Sequence, residues 1–370
     1  MDPVYGTLPN VFWECVMTSI KSYPSAMIRK RILGRYQRYK EKMAHHQKIA
    51  VVKRHTSLLH KGFASGHHEL PVVLCLVKNG MEHLPSFMNH YRELGFEDFV
   101  FMDNGSSDGT LDFLVKSNCT VYQCSLGYEE YIYAMKQFLV HLCGQGCWTL
   151  YVDVDELWLY PGCNTVDLSR FVNYLDRAGY NACQAHMLDM FPKNFQFSDG
   201  PKDSNTGVLG EDYPFFTLQG LKKSPFDRYF IQDDGKRFQY HGGVNQHLFG
   251  LKDIYLSKIP LIKLDKNMLV HITSHISKHV VLADLSCALL HYKFTNAFFV
   301  KAKKIVDEKR DRWAVDYYGK ILKKMEGGAI VMAEQDAFQF NDIQQLLQLG
   351  FIDASDAYYA SNNTNQKPCP

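Results

Sequence analysis

Four short, largely apolar runs alternate with segments of helical period over residues 71–155, and that alternation limits the folds open to this chain. Val72-Val73-Leu74-Cys75-Leu76-Val77 is apolar throughout, and Asp98–Asp103, Thr120–Cys124 and a run beginning at Trp148 follow at βαβ spacing. Helices are predicted between them, over about 82–94, from a cap at Asp108 or Ser107 to about 116, and over about 129–143. Strands that do not alternate polar with apolar residues are buried on both faces. Strand–helix alternation of this kind builds a parallel sheet. Ligands of such sheets bind beyond the carboxyl ends of the strands. Lys78-Asn79, Asp103-Asn104 and the pair Asp153 and Asp155 all fall at those ends.

The fourth run, Trp148-Thr149-Leu150-Tyr151-Val152-Asp153-Val154-Asp155-Glu156-Leu157, passes abruptly from β-prone residues into acid. Side chains alternate along a strand, so an extended run directs Asp153 and Asp155 to the same side. Paired carboxylates at the end of a buried strand suit a hard divalent cation, and such a cation commonly serves to hold a diphosphate. The plainer reading is that these acids begin a loop. Neither GxGxxG nor GxxxxGK[ST] follows the first strand, which argues against a dinucleotide fold and a P-loop enzyme.

At 370 residues the chain is long enough for one large domain with additions, or for two. Hydrophobic residues are 46% and charged residues 22%, a balance that supports a core and excludes general disorder. A net charge of +2 gives no global sign of nucleic-acid binding. The ten cysteines form no CxxC pair, and they read as free thiols of a reducing compartment, the cytosol. No secretory signal and no apolar run long enough to span a membrane is expected.

Residues 1–66 read as a basic helical extension, with Met27, Ile28, Ile32, Leu33 and Tyr36 at helical spacing and Ala64-Ser65-Gly66 as a linker. Such a helix suits the anionic inner face of a membrane, a partner, or the main domain. A further strand is expected over Tyr180–Asp189. Residues 193–225 read as a long loop of the kind that covers a site or binds an acceptor. Gly242-Gly243 permits close backbone approach to a ligand. From about Ala297 the chain reads as helical, with a basic face at Lys301, Lys303, Lys304, Lys309, Arg310 and Arg312, and residues 360–370 as a disordered tail.

Asp103-Asn104-Gly105-Ser106-Ser107-Asp108-Gly109-Thr110 resembles the D-x-x-S-x-D-x-T signature of family 2 glycosyltransferases, and Asp153-Val154-Asp155 resembles their DxD. Leu188-Asp189-Met190-Phe191, Gly242-Gly243-Val244, Lys258-Ile259-Pro260-Leu261, Ser274-His275 and Leu289-Leu290-His291-Tyr292-Lys293-Phe294 are similar to motifs of the Glyco_tranf_2_4-like branch. Together they cover roughly residues 70–320. The resemblance implies an α/β fold of the GT-A (nucleotide-diphospho-sugar transferase) type. It implies a doubly wound mixed sheet over residues 67–296, with helical additions at 1–66 and 297–359.

The resemblance implies transfer of a sugar from a nucleotide-sugar donor, UDP-linked by default, to a hydroxyl of a glycan or lipid-linked acceptor, with inversion. Asp103 would hold the base or ribose, and Lys78 and Asn79 would lie beside the base. Asp108 and Thr110 would shape the turn. Asp155 would bind the metal, Mn²⁺ or Mg²⁺, and Asp153 would contact the ribose, or the metal through water. His291 would return as a further metal ligand and favour Mn²⁺. For the base that deprotonates the acceptor, the candidates are Asp189 first, Asp212 second and His275 third. Glu211-Asp212 carries the letters of the family's acidic pair, in surroundings that read as loop. Two rivals stand beside this reading: a nucleotidyltransferase, and a non-catalytic glycan-binding scaffold.

Overall fold

The computed structural model describes residues 47–62, 70–192, 194–195, 206–225, 237–266, 268, 270, 275, 277–309, 312–326, 330–331 and 336–362. The chain divides into two units, 1–55 and 56–370. Of the first, residues 47–54 are helical. The amphipathic segment around Met27–Tyr36, the Ala64–Gly66 linker, Arg310 and residues 363–370 of the expected tail lie outside the described residues.

The second unit is a mixed α/β structure around one nine-stranded, mainly parallel sheet. Its strands in chain order are β1 (Thr56–His60), β2 (Val72–Val77), β3 (Phe99–Asp103), β4 (Thr120–Cys124), β5 (Trp148–Tyr151), β6 (Glu156–Leu159), β7 (Ala182–Asp189), β8 (Ser257–Lys263) and β9 (Leu282–His291). Across the sheet they run β1-β4-β3-β2-β5-β8-β7-β9-β6. β2 pairs in parallel with β3 and β5, β3 with β4, and β7 with β9. β1 and β6 close the two edges antiparallel, and β8 is antiparallel between β5 and β7. β2, apolar throughout, and β3, apolar up to its terminal Asp103, are buried at every position, as unalternating strands must be.

Among the described residues of this unit the helices are, in chain order, α1 (Leu84–Glu93), α2 (Thr110–Lys116), α3 (Tyr128–Cys143), α4 (Leu168–Ala178), α5 (Leu209–Asp212), α6 (Val244–Phe249), α7 (Asn296–Glu308), α8 (Arg312–Met325), α9 (Ile343–Gln348) and α10 (Asp356–Ser361). The first three fall where the sequence pattern predicts them. α3 packs on β2, β3 and β5. α4 buries Leu168, Phe171, Val172 and Leu175, one face at helical spacing. Asp167 caps it by accepting the Arg170 N–H, an interaction of about 1 kcal/mol, and Gly179 at φ 75° ends it. α6, α7 and α8 enclose a second core around Phe249, Phe294, Phe298, Phe299 and Ile321.

Three expectations need correcting. The stretch Trp148–Leu157 is not one strand: β5 ends at Tyr151, and β6 begins at Glu156 on the far edge of the sheet. Asp153 and Asp155 therefore lie on the crossover turn between them, and strand alternation does not set their directions. Residues 206–225, within the expected long loop, contain α5 and short paired strands. Gly242 and Gly243 approach backbone rather than an open site. A Cβ on Gly242, at φ 85°, would stand 2.5 Å from the Gly220 carbonyl oxygen, and the Gly243 N–H donates to that same oxygen at 3.0 Å.

Candidate functional site

Because β2, β3, β5, β7 and β9 run the same way, Lys78, Asp103, Asp153, Asp155, Asp189 and His291 come to one edge of the sheet. β8 runs the other way, so Lys258, near its start, joins them. The turn between β5 and β6 is closed on itself. The Glu156 N–H donates to the Asp153 carbonyl at 3.0 Å, and the Asp153 N–H donates to the Glu156 carboxylate at 2.8 Å. It is tied to β9 by the Tyr292 N–H, which donates to the Asp155 carbonyl at 2.8 Å.

Two ionic groupings meet on this turn. In the first, the Lys136 Nζ of α3 lies 3.5 Å from Asp153 Oδ1 and 4.5 Å from the centroid of the Tyr151 ring. Lys258 Nζ bonds Glu156 Oε2 and stands 3.8 Å from Asp153 Oδ2. The side chains of Lys136 and Lys258 are 1% and 3% exposed, whereas that of Asp153 is 39% exposed, so both ammoniums back Asp153 from inside. Burial pushes the Asp153 carboxyl up, but the two lysines outweigh it and hold the group below the usual carboxylate range.

In the second grouping, His291 Nδ1 bonds Asp189 Oδ1 at 2.6 Å and its Nε2 lies 3.5 Å from Asp155 Oδ2. Burial lowers the His291 imidazole, but its bonds to Asp155 and Asp189 and their charges prevail and raise it to about 10. Burial likewise raises Asp155, and the His291 bond and charge reverse this and hold it below the usual range. The other Asp189 oxygen accepts from Asn245 Nδ2 at 3.0 Å. Asn245 Oδ1 in turn accepts from the Tyr317 hydroxyl at 2.6 Å, and Lys293 Nζ donates to that hydroxyl. α8 thus supports the histidine through a buried chain of polar groups.

These residues fit a divalent cation in part. With Nδ1 committed to Asp189, Nε2 faces Asp155, and a cation there would displace the proton that Nε2 directs at that carboxylate. Two donors at about 2.1 Å from one ion at right angles would be about 3 Å apart, so the pair, at 3.5 Å, would close slightly around an ion. Among the described residues, no group of three or more His, Cys, Asp or Glu side chains forms a complete metal cage. A cation bound by one or two protein groups takes its remaining oxygens from phosphate and water.

The other expected residues fall as follows. Asp103 is fully buried, and its carboxylate accepts the Gly105 N–H at 2.9 Å and the Ser106 N–H at 3.1 Å. Asn79 Oδ1 accepts from the Ser107 N–H, and Asp108 accepts from the Met81 N–H and from Thr110. The signature segment therefore fastens the loop after β2 to the loop after β3. Lys78 and Asn79 are exposed at that junction. Asp212 ends α5, accepting from the Thr206 and Gly207 N–H groups. α5 lies close to the end of β9: a Cβ on Gly210 would reach the Tyr292 hydroxyl, and the Tyr213 and Tyr292 rings are 6.5 Å apart. His275 bonds the Ser257 carbonyl at 3.1 Å, and burial first, then the Lys258 charge, lowers its imidazole to about 4. Its neighbour Ser274 lies outside the described residues.

Sequence reasoning missed Lys136, Glu156, Asn245 and Tyr317, and gave Lys258 no role. Lys136 had a signal: it stands among Ala134, Met135, Leu139 and Val140 on the buried face of α3. A lysine in such a position needs a partner.

No helix among the described residues is long and apolar enough to cross a membrane. No protein-family model matches the chain, and no curated protein matches its sequence. Among solved structures, that of UDP-glucose pyrophosphorylase complexed with UDP-glucose aligns over 65% of this chain and 100% of its own, at 8% identity and a TM-score of 0.25. Likeness at that level carries no inference about fold or function.

Proposed function

We propose that this chain is a GT-A-type glycosyltransferase. It moves a sugar from a nucleotide-sugar donor, UDP-linked by default, to a hydroxyl of a glycan or lipid-linked acceptor. The observation that carries the reading is that Asp155 and His291, far apart in sequence, face each other at 3.5 Å beyond the carboxyl ends of the parallel strands. That edge is where sheets of this kind bind ligands.

Asp155 and His291 would hold Mn²⁺ or Mg²⁺, and Asp189 would orient the imidazole. The cation, when bound, offsets charge on the departing diphosphate. Asp153, ionised and open on its outer side, accepts hydrogen bonds from the ribose. Lys78 and Asn79, exposed at the end of β2, would lie beside the base, with Asp103 and Asp108 fixing the loops that carry them. Of the candidate bases, Asp189 is buried and bonds His291 and Asn245, and His275 bonds the Ser257 carbonyl near the buried Lys258. Asp212, partly exposed at the end of α5, whose Gly210 and Tyr213 approach Tyr292, is the base in this reading, and its carboxylate accepts from the Thr206 and Gly207 N–H groups. A single displacement with that base inverts the anomeric centre.

The deciding experiment is thermal shift with UDP, GDP and CMP, each with and without Mn²⁺, on the wild type and Asp155→Ala. Ligand at 100 times its Kd adds roughly 2.7 kcal/mol. The reading expects a metal-dependent rise with one nucleotide, lost in the variant. No rise with any of them moves the chain to the scaffold reading. Turnover of a nucleoside triphosphate with a sugar 1-phosphate, releasing pyrophosphate, moves it to a nucleotidyltransferase.

A further inference from the structure

Tyr255 stands two residues before β8, at the end of that strand which reaches the ligand-binding edge, and its side chain is 48% exposed. Its backbone is pinned from both sides. It bridges to His241 of the short strand Phe238–Gly242, with the Leu256 N–H donating to the Tyr240 carbonyl and the Gly242 N–H to the Ile254 carbonyl. On the other side the Met187 N–H donates to the Leu256 carbonyl, which sets Tyr255 beside the end of β7. The Tyr255 ring lies 4.6 Å from the His241 imidazole and 6.3 Å from that of His275, centroid to centroid. Both imidazoles are held in turn: His241 Nε2 bonds Ser224 Oγ at 2.8 Å, and His275 Nδ1 bonds the Ser257 carbonyl. Burial lowers the His241 imidazole, and burial, then the Lys258 charge, lowers that of His275, so both are neutral at pH 7. The three rings form a fixed, uncharged shelf that carries a phenol hydroxyl and two imidazoles.

We infer that Tyr255, flanked by His241 and His275, is a carbohydrate subsite that holds a sugar ring of the acceptor. The inference rests on the glycosyltransferase reading and narrows its acceptor to a glycan of at least two sugars. The face of an aromatic ring is negative, and the C–H face of a pyranose is apolar and weakly positive, so the two stack. Neutral imidazoles both donate and accept, which suits the hydroxyls at the rim of such a sugar. A shelf already fixed by its neighbours loses little freedom when a ligand lands on it. The strand order β3-β2-β5-β8-β7-β9 puts Lys78 and Asn79 on one side of the Asp153–Asp155 turn and Tyr255 on the other. The shelf is therefore away from the nucleotide base, on the side left to the acceptor. Between β8 and β9 lies β7, so the two are about 10 Å apart at the usual strand spacing. Asp212 belongs with the end of β9, through the approach of α5 to Tyr292. The sugar on Tyr255 is then not the one whose hydroxyl meets Asp212 but its neighbour in the glycan.

The test is saturation-transfer difference NMR on the full chain. The probes are methyl glycosides of glucose, galactose, mannose and N-acetylglucosamine, and of disaccharides built from them. At least one disaccharide should bind the wild type, and more tightly than either of its single sugars. Transfer should concentrate on the C–H protons of one pyranose face. Tyr255→Leu, which stays apolar but has no ring face, should bind that disaccharide about tenfold more weakly, and Tyr255→Phe should bind it as the wild type does. The thermal shift with nucleotide and Mn²⁺ should be the same in all three, which also reports that the variants fold. Failure of every disaccharide to bind the wild type overturns the inference, and so does binding that Tyr255→Leu leaves unchanged. Octyl glycosides of the same sugars separate a lipid chain from a sugar ring: an octyl-dependent affinity equal in wild type and Tyr255→Leu puts the chain on this edge and overturns the subsite. A wild type that holds a disaccharide through Tyr255 yet responds to no nucleotide keeps the subsite and removes the transferase reading.

Discussion

Asp189 bonds the Nδ1 of His291 at 2.6 Å and is itself held by Asn245, so the imidazole presents Nε2 to Asp155 with little freedom to turn. A carboxylate behind a histidine is the common way to fix a metal-binding tautomer. In the proposed reading Asp189 orients a ligand, while the sequence ranks it first as the base.

Tyr317→Phe and Asn245→Ala test that support. Each breaks the chain of hydrogen bonds that runs from α8 to Asp189. Mn²⁺ affinity in the presence of UDP should fall about 10-fold or more. Mg²⁺ affinity should fall less, because a nitrogen donor matters less to the harder ion. Calorimetric titration with each ion reads the ratio. Equal losses for both ions would show that His291 is not oriented for a cation.

The backbone approach at Gly220, Gly242 and Gly243 gives a stability prediction. A Cβ on Gly220 would stand 2.6 Å from the Gly243 carbonyl oxygen, and one on Gly242 would stand 2.5 Å from that of Gly220, with both residues at positive φ. Neither neighbour is a flexible side-chain end, so the strain has no cheap outlet. Gly242→Ala and Gly220→Ala should each cost about 1–3 kcal/mol in urea unfolding. Gly105→Ala, at φ 82° but with open space around the added methyl, should cost less.

Legibility in the sequence followed the range of the forces involved. β2, β3, α1, α2 and α3 were readable because apolar period and local turn chemistry decide them. Asp108 and Thr110 were readable as turn residues for the same reason. The path after Tyr151 was not, because the apolar run continues through Val152, Val154 and Leu157. What divides it is a long-range choice: β6 pairs with β9, whose residues come more than a hundred positions later. The pairing of Asp153 with Lys136 and Lys258, and of Asp189 with Asn245, likewise exists only once distant strands are side by side. Gly242-Gly243 marks a close approach, but a glycine pair does not say whether the visitor is a ligand, as the sequence suggests, or another stretch of backbone, as the fold has it.

Like His275, two further histidines with lowered imidazoles make the fold sensitive to acid. His186 is fully buried against Phe238, Tyr240 and Phe351, and burial, then the charges of Lys223 and Arg237, lowers it to about 3. His90 bonds the Trp158 carbonyl, and burial lowers it to about 4. Both imidazoles are neutral in the fold, while an unfolded histidine takes its proton near pH 6.5. Their stabilisation is therefore complete above about pH 6.5 and is lost as the pH falls toward 4 and 3, since the unfolded chain then binds more protons. Each histidine contributes a slope of up to about 1.4 kcal/mol per pH unit within that window. Unfolding free energy measured from pH 7 to 4.5 should decline more gently in His186→Gln than in the wild type. Parallel declines would remove His186 from the account.

Asp212→Asn tests the proposed base. The amide keeps the size of the side chain and can still accept from Thr206 through one oxygen, although the Gly207 N–H loses its partner. Nucleotide and Mn²⁺ binding should therefore be near wild type, while kcat should fall by about 10²–10⁴, the usual worth of a general base. Measuring nucleoside diphosphate release with the matching nucleotide-sugar separates the two quantities. A base on α5, acting across the acceptor from the diphosphate, also predicts a product of inverted anomeric configuration, which proton NMR of the sugar reads directly. Retained configuration with a fully active Asp212→Asn would remove Asp212 from the chemistry and leave α5 as a wall of the acceptor cleft.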